Sequence, residues 1–138
     1  MDNFFVISLG GNLKNTRRAF DRALRTLARN RNIRLTGASR TLRTAPWEIT
    51  SPAFINKVVC GYSHVGAPGL WNLLLRMERQ EIRRGKGKCY PRTLDVDFLL
   101  YNGPQSPRKD LVLPHPRLAF RPVLLQLLAE ARHRRFVP

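Results

Sequence analysis

Apolar and polar positions alternate over residues 92–101, Arg92-Thr93-Leu94-Asp95-Val96-Asp97-Phe98-Leu99-Leu100-Tyr101, and the period of two predicts a strand. Val96, Phe98 and Leu100 fall on one face, Asp95, Asp97 and Leu99 on the other. Residues 4–9, apolar apart from Ser8, read as a first strand buried on both faces, ended by a Gly10-Gly11-Asn12 turn. The period then changes to that of a helix over 17–30, with Asn15-Thr16 as its cap. Phe20, Ala23, Leu24, Leu27 and Ala28 make its inward stripe, and Arg17, Arg18, Arg22, Arg25 and Arg29 face out. Residues 33–43 alternate loosely and predict an edge strand bulged at Gly37. A loop over 44–52 precedes a strand from Phe54 to about residue 63. Pro68 opens a second helix, 69–83, whose apolar face is Leu70, Trp71, Leu74, Leu75 and Met77, with Glu78 at the sheet-facing boundary. After the 92–101 strand come a turn region at 102–110, a short strand at 111–113 and a last helix at 122–132. The tail from Arg132 reads as frayed and basic.

The order is β-α-β-β-α-β with a late strand and helix. It predicts an α+β, ferredoxin-like domain: a mainly antiparallel sheet with helices packed on one face. The other face, carrying the two aspartates, is expected to lie open to ligand. A chain of 138 residues suits a single domain spanning 1–138. The apolar runs are too short to span a membrane. The N-terminus lacks a signal-peptide pattern, and Cys60 and Cys89 show no metal-ligand spacing. A reducing cytoplasm is the expected compartment, and a monomer is favoured.

Charge changes the picture. Lysine and arginine total 25 against 9 acidic residues, a net +16. Such a balance calls for an anionic partner: a nucleotide, a phosphorylated substrate or a nucleic acid. Many helix-surface arginines equally fit a compositional bias, so the scarce acids say more than the plentiful bases. Asp95 and Asp97, two apart on a strand, hold their Cα atoms roughly 6.5–7 Å apart on one face. Ionised carboxylates so placed repel unless a cation joins them. The pair reads as a site for hard divalent cations such as Mg²⁺ or as two solvated acids. Arg92 lies three residues upstream of Asp95, within reach of a metal-bound phosphate. Residues 83–92 carry five cations and two glycines, a loop suited to a polyphosphate though without Walker A spacing. His115, between Pro114 and Pro116, is held extended and can donate to a phosphate oxygen. Trp47 in the loop reads as a core plug or a stacking plane. Asn56 offers a ligand edge both a donor and an acceptor.

Together these pieces resemble the 6-hydroxymethyl-7,8-dihydropterin pyrophosphokinases of folate biosynthesis. The motifs carrying the resemblance run in order over about residues 4–130: Leu9-Gly10-Gly11-Asn12, Arg43-Thr44-Ala45-Pro46, Phe54-Ile55-Asn56, Met77-Glu78, Pro91-Arg92-Thr93-Leu94-Asp95-Val96-Asp97, and Leu113-Pro114-His115-Pro116-Arg117 followed by Arg121. The resemblance implies transfer of pyrophosphate from ATP to the pterin hydroxymethyl oxygen with release of AMP. It implies two Mg²⁺ ions held by Asp95 and Asp97, phosphates clamped by Arg83, Arg92 and Arg84, and nucleotide contacts from His115, Arg121 and the segment around Leu111. On the pterin side it implies Thr44 and Asn56 at the polar edge, Phe54 stacked on the ring, and Ala45, Trp47, Tyr90 and Val123 completing the pocket. Val123 stands where the family usually has a second aromatic. Cys89 stands for a usual tryptophan, with Tyr90 next to it. Lys109-Asp110-Leu111-Val112 stands where an arginine and a threonine are often found. The chain also stops short of the usual C-terminal segment. The phosphate half of the motif set is thus kept more closely than the pterin half. Two alternatives remain: the same phosphoryl chemistry on another alcohol, or a basic nucleic-acid-binding module of the same fold. The last is not expected despite the charge, because no run of aromatics and glycines marks a predicted strand.

Overall fold

A computed structural model describes residues 2–12, 15–44, 53–84, 94–104 and 108–137, with the backbone alone at 82–84. Five strands and three α-helices are seen in these segments: β1 (Asn3–Gly11), α1 (Thr16–Arg29), β2 (Ile33–Ala38), β3 (Leu42–Thr44), β4 (Phe54–Ser63), α2 (Ala67–Arg84), β5 (Asp95–Tyr101) and α3 (Pro122–His133), with a 3-10 turn at Leu118–Phe120. The sheet order is β2-β4-β1-β5, all described pairs antiparallel, with β3 also on β4. This is the α+β ferredoxin-like arrangement that the element order predicts.

The predicted 33–43 strand is broken in two. β2 pairs with the far half of β4 and β3 with its beginning. The register of β2 slips between Leu35 and Gly37, so the bulge falls where Gly37 suggests. A Cβ on Gly37 would lie 1.9 Å from the Ala131 carbonyl oxygen, so the close approach of α3 requires glycine here. The strand expected at 111–113 does not form: among the described residues that stretch holds a single bridge, Arg108 to Leu111. The tail is not frayed. The Ala38 N–H donates to the Arg134 carbonyl, the Phe136 N–H donates to the Thr36 carbonyl, and Phe136 rests against the core. The unpaired edge of β2 offers those backbone groups, and the tail covers part of it.

α1 and α2 cover one face. Phe20, Ala23 and Leu27 meet Leu70, Leu74 and Met77 over Phe5, Ile7, Leu9, Val96 and Phe98. The inward stripe of α1 is turned from the expected one: Ala19 is buried and Ala28 is exposed. Arg22 does not simply face water. Its Nε and Nη2 each lie 2.7 Å from a carboxylate oxygen of Glu81, which is 6% exposed, and this bidentate strut joins the two helices.

The opposite face, which the sequence alone predicts to lie open, is partly covered. α3 lies across it, and Leu124, Leu127 and Ala131 pack on Val6, Val58, Cys60 and Leu99. β5 carries a bulge: Val6 pairs with Leu100 but Ile7 with Phe98. The extra residue breaks the alternation. Leu99 and Leu100 both pack on the α3 side, and Tyr101 takes the place on the helix face expected for Leu100. Among the described residues, what stays uncovered is the end of this face formed by the end of β1, the beginnings of β4 and β5, and β3.

Candidate active site

Cross-strand pairing sets the site. Directly paired residues point to the same face. Leu42 pairs with Asn56, Asn56 with Gly10, and Gly10 with Asp95, giving one row across four strands. The next row joins Val58, Ser8 and Asp97. Phe54, two before Asn56, and its partner Thr44 lie on the same face. The strands therefore gather Thr44, Phe54, Asn56, Asp95 and Asp97, which are far apart in sequence, on the uncovered end of the sheet.

Gly10 explains part of the packing. A Cβ there would stand 2.8 Å from Cε1 of Phe54 and 3.4 Å from Oδ1 of Asn56. Glycine here allows the close approach of Phe54 and Asn56 to the β1 backbone. Asn56 is 3% exposed, and its Nδ2 has no hydrogen-bond partner among the described residues. An unmatched buried amide costs about 1–3 kcal/mol, so this donor is one a bound acceptor can satisfy. Thr44 Oγ1 already donates to the Phe54 carbonyl at 3.1 Å and braces the β3–β4 corner.

β5 is the edge strand, so the N–H of Val96, between the two aspartates, needs a partner from outside the sheet. Glu78 of α2 supplies it, its Oε2 accepting at 2.6 Å. Glu78 thereby braces the backbone that carries Asp95 and Asp97. The sequence signals at Glu78 are an acid at the sheet-facing boundary of an apolar helix and the Met77-Glu78 motif. Ser8, the one polar position of the strand predicted at 4–9, is 5% exposed between Val58 and Asp97.

His115 is fixed by backbone on both sides. Its N–H donates to the Leu99 carbonyl at 2.9 Å, and its Nδ1 accepts from the Arg117 N–H at 3.1 Å. With Nδ1 an acceptor, the ring proton of the neutral imidazole is on Nε2. Nε2 lies 3.7 Å from Oδ1 of Asp97, whose side chain is 44% exposed. Beside them is a cavity of about 380 Å³ whose walls include Asp97, His115, Leu111, Phe98 and Trp71. Trp71, expected in the core stripe of α2, has a second contact: its indole N–H donates to Asp110 Oδ2 at 2.9 Å. The Arg108 guanidinium foremost, and then that indole, hold the Asp110 carboxyl below the usual carboxylate range.

Arg121 caps α3 at its N-terminus, and Val123 packs in the second apolar cluster with Leu42. Arg83 and Arg84 end α2, and their side chains lie outside the described residues, as do Ala45, Trp47, Tyr90 and Arg92. No described helix is long and apolar enough to cross a membrane.

The sequence is similar to those of known proteins. The chain is 35% identical over 126 residues to the "Folate synthesis bifunctional protein, mitochondrial" of Arabidopsis thaliana, an alignment covering 91% of the chain and 23% of that protein. It is 32% identical over 125 residues to the "2-amino-4-hydroxy-6-hydroxymethyldihydropteridine pyrophosphokinase" of Synechocystis sp., covering 91% of the chain and 64% of the relative. Identity is again 32%, over 125 residues, with the protein of that name from Methylorubrum extorquens, covering 90% and 79%. The chain thus spans about a quarter of the plant relative and just under two thirds of the cyanobacterial one. Residues 6–133 match the family described as 7,8-dihydro-6-hydroxymethylpterin-pyrophosphokinase (HPPK), and the chain belongs to that family.

Proposed function

We propose that this chain, as one domain over 1–138 acting as a monomer in the cytoplasm, transfers the β,γ-pyrophosphoryl group of ATP to the hydroxymethyl oxygen of 6-hydroxymethyl-7,8-dihydropterin. The observation that carries this is the position of the aspartate pair. Asp95 shares a row with Asn56 and its unmatched amide, while Asp97 borders the cavity under His115. The carboxylates thus stand between a place for a flat polar ring and a place for a nucleotide. The relatives' names support the same pairing of substrates.

Two carboxylates on one face, with water and phosphate oxygens to complete the shell, fit Mg²⁺, which is commonly held by one or two carboxylates plus substrate phosphates. Asp95 and Asp97 would hold two Mg²⁺ ions, which would supply positive charge against the triphosphate. The remaining roles belong to the chain. Asn56 donates its Nδ2 hydrogens to an acceptor on the pterin, Phe54 stacks on the ring, and Thr44, Ala45, Trp47, Tyr90 and Val123 enclose it. His115 donates Nε2–H to a phosphate oxygen. Arg83, Arg84 and Arg92 clamp the phosphates, and Arg121 and Leu111 border the nucleotide. The hydroxyl oxygen bonds to the β-phosphorus, the bond from that phosphorus to the α,β-bridging oxygen breaks, AMP leaves, and the hydroxyl proton goes to solvent. No side chain need act as a strong base, because positioning and charge dominate phosphoryl transfer.

The test is release of AMP from ATP in the presence of Mg²⁺ and the pterin. AMP formation that needs both supports the assignment. ATP binding without AMP release, in protein shown to be folded and to bind Mg²⁺, would overturn it.

A further inference from the structure

Acids are scarce in this chain, and two of the nine stand one turn apart on α2, each tying the helix to a different element. Glu78 accepts the Val96 N–H of β5 at 2.6 Å. Glu81 accepts from Nε and Nη2 of Arg22 on α1, both at 2.7 Å. Two effects oppose a carboxylate at Glu81. It is 6% exposed, and burial disfavours the charged form. It also lies in the last turn of α2, where the helix dipole repels negative charge. Arg22 offsets both. Yet apolar side chains in place of such a buried pair often leave stability unchanged or raise it, so cohesion alone does not account for the pair. What a bidentate fork adds is a fixed distance and orientation. A groove of about 520 Å³ runs between α1 and α2 beside the pair, with Arg25, Arg29, Gln80 and Leu94 among its walls. The fork joins the two helices at this gap, and Leu94 immediately precedes Asp95. Tied by Glu78 to the strand of the aspartates and by Glu81 to α1, the end of α2 has its place set from two sides. Arg83 and Arg84 are its last residues.

We propose that Arg22 and Glu81 are positioning residues for the phosphate clamp. Their ion pair fixes the last turn of α2, and so the backbone from which Arg83 and Arg84 leave, relative to Asp95 and Asp97. This rests on the pyrophosphoryl-transfer reading above and on the clamp role given there to the two arginines. Both members of the pair act through the helix. A reacting group misplaced by about 1 Å can slow a reaction by about a hundredfold, so a last turn free to shift weakens the clamp without unfolding the chain. The clamp grips the transferred β- and γ-phosphates, which AMP lacks.

The test uses the full chain with Arg22→Met and Glu81→Leu combined, so that neither buried charge is left alone. The urea midpoint should stay at or above that of the unsubstituted chain. AMP release should slow by about tenfold in kcat, and a non-hydrolysable ATP analogue with Mg²⁺ should bind about tenfold more weakly by calorimetry. AMP and the pterin should bind as before. A kcat and an analogue affinity both within about twofold of the unsubstituted chain, whatever the midpoint, overturn the proposal and leave the pair a structural role alone. Equal weakening of AMP and the analogue also overturns it, because the damage then lies outside the clamp. If the double variant does not fold, Arg22→Lys decides, since it keeps the charge and gives up the fork. Slower turnover at an unchanged midpoint supports the proposal, and turnover equal to that of the unsubstituted chain overturns it. An unsubstituted chain that binds the analogue but releases no AMP fails the pyrophosphoryl-transfer reading, while the comparison of analogue with AMP still judges the pair.

Discussion

The two faces of the sheet are built from the same strands and do opposite work. The face under α1 and α2 is closed: Phe5, Ile7, Leu9, Val96 and Phe98 are each at most 2% exposed. The other face is divided. α3 seals it over β2 and part of β4, and beyond that the same strands present Asn56, Asp95 and Asp97. From Asp95 to Phe98 the side chains of β5 alternate between these two environments, so Asp95 and Asp97 are held on a strand whose neighbouring residues Val96 and Phe98 are anchored in the core. A closed face holds the backbone still, and an open face can then carry repelling charges and an unmatched amide for the sake of a ligand.

The sharpest way to test that division is to cut each face once. Asp97→Ala should lower turnover by about a thousandfold or more, since the charge it manages is worth several kcal/mol in the transition state. Its unfolding free energy in urea should change by less than about 1 kcal/mol, because the side chain is half open to water. A large loss of stability would make the aspartate pair a structural cluster instead. Phe20→Ala, on the closed face, should do the reverse. It should cost about 3–5 kcal/mol of stability, while protein that remains folded in the cold keeps its KM for ATP.

Asn56 sharpens the comparison, because there the two demands conflict. Asn56→Leu removes a buried donor with no partner among the described residues. Stability should rise by up to about 1 kcal/mol, and pterin affinity should fall by about tenfold or more as the polar edge loses its contact. Urea unfolding and fluorescence titration with the pterin measure the two. Loss of both together would show that the amide serves the fold.

The smallest effect concerns the seam where α3 closes over β2. Glu130 accepts the Arg40 N–H at 2.7 Å and pairs with Arg40 and Arg134. The Arg40 backbone bond foremost, then the neighbouring guanidinium groups, hold its carboxyl below its ordinary value of 4.5. A carboxyl with a depressed folded pKa stabilises the fold above its unfolded pKa, and that contribution disappears as pH falls through the folded value. The Arg40 amide should therefore lose hydrogen-exchange protection below about pH 4.5. Glu130→Gln should flatten the dependence. An unchanged acid profile in that variant would place the titration elsewhere.

Much of this molecule was legible in local pattern. The period-two alternation around Asp95 and Asp97, the helical stripes of α1 and α2 and the glycine in β2 each depend on neighbours a few residues away, and those elements formed. The motifs from Leu9-Gly10-Gly11-Asn12 to Pro114-His115-Pro116 were enough to point to the family. What failed was long-range. Leu100 changed face because a bulge in β5 answers to its pairing with β1. The tail became ordered because β2 left backbone groups unpaired at its edge. Residues 111–113 formed no strand, because no edge received them among the described residues.

The site divides in the same way. The sequence alone determined that two carboxylates fall on one face of a strand, because residue type and short spacing suffice for that. Only the tertiary structure decided which groups meet them. Asn56 and Gly10 lie beside Asp95 through strand register, Glu78 reaches Val96 because β5 is an edge, and Trp71 turns to Asp110 across a cavity. Such contacts join residues that are distant in the chain, and hydrophobic pattern fixes only the face on which a side chain falls, not what waits for it there.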